Sequence, residues 1–174
     1  MATSTPAPPD LAAPPEPRRE TLTTIAEQIA ALDTLIGLAR LSIRVVDIDL
    51  SDMGWNTEAR AQRIAAFLHA HRGASMEIVV HETAWAEKWC PRLTNFLKHY
   101  SHALAIYRAG EEGRRTMDPM VIVDGRHFLH RFHVTQPRAS LGIEQPAAAA
   151  LLVDRFEVIR RSAEPGISAS VTGL

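Results

Sequence analysis

The chain has 174 residues, 46% of them hydrophobic, and a formal net charge of −1 from 19 Lys and Arg against 20 Asp and Glu. That is enough for one packed domain with a real core, and the near balance excludes a strongly basic nucleic-acid binder, though not a local basic patch. A single cysteine, Cys90, excludes an intrachain disulfide and a cysteine-rich zinc site. No apolar run approaches the roughly 20 residues of a membrane span, and the N-terminus shows no charged-then-apolar signal. The expectation is a cytoplasmic protein with no membrane association, no cofactor and no bound metal. The richness in Ala, Arg and Pro fits a bacterial source.

Residues 1–18 are mostly Pro, Ala, Ser and Thr, too poor in large apolar groups to offset ordering entropy, and read as a disordered tail. A single domain is expected over 19–163, with a C-terminal tail over 164–174. Thr24-Ile-Ala-Glu27 has the pattern of a capping box. Leu22, Ile25, Ile29, Leu32 and Ile36 then recur at spacings of three and four, predicting an amphipathic helix to about Arg40. Ser42–Leu50 reads as a strand ending in the acidic cluster Asp47, Asp49 and Asp52.

Asn56 is a candidate N-cap for a helix through Ile64, Phe67 and Leu68, closed by Gly73. Residues 77–81 form a short apolar strand. Thr83–Tyr100 reads as helical, restarting at Pro91. Ala103–Tyr107 is a third strand and Gly110–Arg115 a charged loop. The run Met120–Val123 then turns on Asp124-Gly125, a strong hairpin signal, into a return strand carrying His127, His130, Arg131 and His133. An irregular stretch containing Pro137 and Gly142 leads to a last helix opened by Pro146. This order predicts an α/β fold with a mixed, mostly parallel sheet and helices on both faces.

Ligands in open α/β sheets gather outside the carboxyl ends of parallel strands. Asp47 and Asp49 end the first strand and His81 the second, a set suited to a divalent metal or an acid–base pair. The competing reading makes the aspartates turn caps and His81 a solvated strand-end residue. On the histidine strand, residues 127 and 133 lie roughly 20 Å apart, so a histidine-only zinc site is disfavoured. An anion pocket built on Arg131, with His133 or Arg138 nearby, suits guanidinium chemistry better. The alternative is a buried polar set satisfied by neighbouring loops, with Asp118, Asp124 and Glu144 as the candidate partners of Arg131. Cys90 at a helix start reads as a small buried hydrophobe or, less simply, as a thiol of lowered pKa.

The stretch from Met120-Val-Ile-Val-Asp124-Gly-Arg through Pro137-Arg-Ala-Ser-Leu141 resembles the signature region of the phospholipase D superfamily. There a His, any residue, Lys, four residues, Asp pattern leads through an apolar strand and an Asp-Gly-type turn into a second strand ending in Gly-Ser-x-Asn. The resemblance covers about residues 20–162 and implies one half of that fold. Anchored on Asp124, it puts Met117 at the nucleophilic His position, Pro119 at the Lys position, and Phe132 and Val134 at the Ser and Asn positions. It also puts His130 on the old active-site face, with Arg131 and His133 facing away. Met and Pro can neither attack phosphorus nor hold phosphoryl oxygens. The resemblance therefore implies a catalytically degenerate, homodimeric domain acting as a binding module for a small anion, phosphate or nucleic acid. Its candidate binding residues are His130, Arg131, His133, His81, Asp47, Asp49 and Arg138. One alternative is an enzyme with a re-evolved site using His81, His130 and the Asp47/Asp49 pair. Another is a purely structural accessory domain.

Overall fold

The structure, a computed structural model, describes residues 13–169. Most of the expected tail, residues 1–12, lies outside the described residues. The described chain starts without regular structure and enters β1 (Arg18–Leu22). Helix α1 (Ile25–Leu38) follows, with the expected capping box closed in both directions between Thr24 and Glu27. The chain then runs through β2 (Ser42–Asp47), α2 (Glu58–Ala70), β3 (Ser75–Val80), α3 (Ala84–Trp89), α4 (Pro91–His99), β4 (Leu104–Arg108) and α5 (Glu111–Arg114). The hairpin β5 (Met120–Val123) and β6 (His127–Arg131) precedes β7 (Ala139–Ile143), α6 (Pro146–Arg161) and β8 (Glu164–Ile167).

The eight strands form one sheet in the order β1-β7-β6-β5-β2-β3-β4-β8. It is a mixed α/β sheet, as expected, but the balance lies the other way. Only β2–β3 and β3–β4 are parallel; the other five neighbouring pairs are antiparallel. The excess arises where the sequence reading had no strands: β1 between the supposed tail and the first helix, β8 in the supposed C-terminal tail, and β7 in the supposed irregular stretch. Helix 2 is capped from Thr57 rather than Asn56, whose side chain instead accepts from the Arg92 amide. The charged loop contains a single turn of helix, α5.

Strand alternation divides the core into two layers. Ile43 and Val45 of β2 and Val121 and Val123 of β5 pack with Leu32, Leu35, Ile64 and Leu93 of α1, α2 and α4. Val46, Val79, Met120 and Ile122 face the other way, against Phe156 and Ile159 of α6. Helices therefore cover both faces. The hairpin pairs Met120 with His130 and Val123 with His127. Its turn is closed by the Arg126 amide donating to Val123 O, with Asp124 and Gly125 at φ +53° and +65°, the signs a type I′ turn demands. Asp124 also accepts the amides of Arg40, Leu41 and Ser42 at 2.8–2.9 Å, so the residue that turns the hairpin also clamps the α1–β2 turn.

Candidate functional site

The carboxyl end of β2 marks where the sheet changes from parallel (β3) to antiparallel (β5) neighbours. Here Asp47 is buried at 7% exposure. Its carboxylate accepts the Ile48 amide at 2.6 Å. Burial pushes its pKa up from 3.8 to about 6, with Asp49 and Asp52 adding repulsion against the pull of the Ile48 amide and the Trp55 indole. Asp47 lines a cavity of about 20 Å³ together with Gln28, Met53, Trp55, Pro119 and Arg131. Pro119 thus stands half-buried beside Asp47 in the wall of this pocket.

Arg131 shares this cavity because β6 pairs with β5 so that its amide donates to Pro119 O. Its guanidinium is 8% exposed and meets Asp52 at 3.1 Å. It also donates to Gln136 O at 2.8 Å and Val134 O at 2.6 Å. Three internal acceptors therefore satisfy it, and the partner is Asp52, not Asp118, Asp124 or Glu144 as the sequence suggested. The sequence reading placed Arg131 in a ligand pocket; the structure uses it to staple the 132–138 loop to the 48–57 loop. It also reverses the faces, since Arg131 rather than His130 lies on the side of Pro119.

His130 projects to the opposite face. Its Nε2 lies 2.7 Å from Asp118 Oδ2, and Arg155 on α6 grips both oxygens of that carboxylate at 2.5 and 2.6 Å. Asp118 was expected, if anything, to pair with Arg131. Arg155 was not singled out at all, because only the packing of α6 across β5 brings it there. Ser140 stands opposite His130 in the β6–β7 register and accepts from Arg19 Nε at 3.2 Å. Phe132, just past β6, is 45% exposed. Its ring sits edge-on to His130 at 5.8 Å, with the Arg138 guanidinium 5.8 Å away over the ring. His133 is half-buried and bonded to Thr135 Oγ1 at 2.8 Å.

The remaining candidates stay apart. Asp49 caps a turn through the Ser51 amide and hydroxyl. His81 is buried, its amide bonded to Ile48 O; its imidazole is held below its ordinary pKa by burial, against a smaller opposing pull from the backbone of Thr116 and Gly113. Asp47 and His81 end neighbouring strands but sit on opposite faces. Among the described residues no group of three or more His, Cys, Asp or Glu gathers as metal ligands do. Cys90 is buried and its thiol pushed up to about 11 by desolvation, the opposite of an activated thiol. Among the described residues no helix is long and apolar enough to cross a membrane.

A family described as "Domain of unknown function (DUF7931)" matches residues 24–167. No curated protein is significantly similar in sequence. Among solved structures, the archaeal chromatin protein TrmBL2, whose structure is reported to show a novel mode of DNA binding, superposes with a TM-score of 0.65 at 14% identity over 90% of this chain. The match spans 56% of that protein, so this chain corresponds to about half of it. Nuc from Salmonella typhimurium, a phospholipase D family member, superposes at 0.62 with 14% identity, covering 88% of this chain and 100% of that one. NucT from Helicobacter pylori gives 0.57 at 14% identity over 86% and 99%. The likeness at these identities is one of fold, and the fold is phospholipase D-like.

Proposed function

The chain belongs to the DUF7931 family, and from that membership and its geometry we propose a phospholipase D-like domain that has lost the hydrolytic site and binds a phosphate-bearing ligand, nucleic acid foremost. One observation carries the reading. The positions that the resemblance assigns to nucleophile and phosphate clamp are Met117 and Pro119, whose side chains can neither attack phosphorus nor hold phosphoryl oxygens. Binding then falls to the outer end of the hairpin. There Arg138 and His130 flank the exposed Phe132 ring. Basic groups beside an aromatic face suit a polyanion with stacking bases. The DNA-binding fold neighbour supports the same direction. A homodimer, as the resemblance implies, would double this surface.

The test is fluorescence anisotropy with a labelled single-stranded oligonucleotide, its duplex and inorganic phosphate as competitor, at about 50 mM salt. Binding that weakens with salt, and whose salt slope falls by about 1 in Arg138→Ala, is the expected result. Absence of binding by a folded protein overturns the reading. So does phosphodiester turnover abolished by a single His→Ala change.

The Asp118–His130 pair favours a second reading, an acid–base site on the α6 face, because a carboxylate that fixes an imidazole is the orienting device of general-base catalysis. Asp47 and Asp49 have no part in it. Turnover of any ester or phosphoester by wild type, lost in His130→Gln, would select this reading over the first.

A further inference from the structure

Helix α6 packs over β2, β5 and β6. Towards the β1 edge the same face of the sheet opens to solvent, and Arg19, Thr21 and Arg138 on it are exposed. The strand register fixes that they share a face. Arg19 and Thr21 stand opposite Gly142 and Ser140, which stand opposite Phe128 and His130, and directly opposed residues point to one side. Arg138 joins them through its contact with Phe132, the neighbour of His130.

Arg19 is held from below. Its Nε donates to Ser140 Oγ at 3.2 Å, and its guanidinium lies 5.9 Å over the Phe128 ring. Ser140 and Phe128 are both buried. The ring takes the space that a side chain at Gly142 would fill. Anchoring a guanidinium at Nε leaves its terminal nitrogens as a fork for an anion and lowers the entropy lost on binding one. Among the described residues, Arg19 and Arg138 have no carboxylate partner. Arg18, on the opposite face of β1, meets Glu20 at 3.2 Å. Asp118 is taken by Arg155 and His130.

The spacing and the ring select the occupant. Arg138 is two residues from Ser140, the anchor of Arg19, a step of roughly 7 Å along the strand. Two neighbouring phosphates of an extended backbone can meet cations so placed. Phe132 is 45% exposed, and an exposed ring beside a cationic track takes an unpaired base. The bases of a duplex are already stacked on one another and cannot reach it.

We propose that this open face, from Phe132 across β7 to Arg19 on β1, is a platform for single-stranded nucleic acid. Arg19 and Arg138 hold neighbouring phosphates and Phe132 stacks one base. The inference rests on the nucleic-acid reading above and adds to it the β1 edge and the preference for an unpaired strand.

The experiment is fluorescence anisotropy at about 50 mM salt with labelled strands of about 12 nucleotides, one of deoxythymidine and one of uridine, and with a blunt duplex. Both single strands should bind more tightly than the duplex, and the tighter of the two names the sugar. Arg19→Ala should weaken single-strand binding and reduce the salt slope by about 0.7, the loss of one phosphate contact. Arg19→Lys should keep the slope, which separates lost charge from a disturbed β1. Phe132→Leu should weaken binding about tenfold with the slope unchanged. Arg18→Ala, on the other face, should leave binding as it was. Single-strand binding that is the same in Arg19→Ala as in Arg18→Ala overturns this inference and leaves the broader reading standing. A duplex bound as tightly as the single strands does the same. No binding of any probe by the folded wild-type protein ends both.

Discussion

Asp47→Asn tests the electrostatics of the buried end of β2. The folded-state pKa is raised from 3.8 to about 6, chiefly by desolvation, so the native state holds its proton more tightly than the unfolded chain. A raised folded pKa contributes stability that is fully present below the unfolded value and is lost as pH rises through the folded one. A shift of this size corresponds to about 3 kcal/mol in total, of which about 1.4 kcal/mol disappears between pH 5 and pH 8. Asparagine keeps an oxygen for the Ile48 amide and carries no charge to desolvate. The difference in unfolding free energy between Asp47→Asn and wild type, from urea titrations, should therefore move in favour of the variant by about 1.4 kcal/mol from pH 5 to pH 8. Taking the difference cancels the other titrating groups, including His81 and His127, whose burial lowers their pKa values in both proteins. A difference constant to within about 0.3 kcal/mol across that range would show that Asp47 ionises normally and would refute the argument.

Arg131→Met should lower stability by about 2–3 kcal/mol by stranding the Gln136 and Val134 carbonyls, whereas Asp52→Asn should cost under about 1 kcal/mol because that carboxylate is half exposed; urea midpoints of the two variants check the asymmetry. Asp124→Ala should cost about 2 kcal/mol by releasing the amides of Arg40, Leu41 and Ser42, and Asp124→Asn should recover part of it, read as thermal midpoints. Gly142→Ala should destabilise by about 1–3 kcal/mol, because a Cβ there would lie 2.4 Å from the Phe128 ring; Phe128→Leu in the same background should restore most of the loss.

Much of the fold was legible because local chemistry and global packing agree at those points. The capping box starts α1, Pro91 restarts the helix after Cys90 and Pro146 opens α6, each where the geometry permits a proline or a cap. Asp124-Gly125 turns the hairpin because both positions adopt positive φ. The missed strands lacked the signal that alternation supplies. β1 buries only Leu22, so an edge strand looks like a solvated tail. β7 is buried at every position and shows no alternation, while its Gly142 is required by the Phe128 ring rather than by a turn. β8 contains Pro165 and Gly166, tolerable on a sheet edge and otherwise indistinguishable from loop residues.

The sequence by itself determined the helix starts and the hairpin turn, since these depend on residues within a few positions of one another. Only the tertiary structure decided which charges meet. Arg131 finds Asp52, 79 residues away, and Asp118 finds Arg155 across α6. A long side chain on a strand can reach several carboxylates, and the selection depends on sheet order and on which face each residue occupies. Adding β1, β7 and β8 to the sheet also set the balance of antiparallel pairing, a property of where strands lie and not of how each one is written.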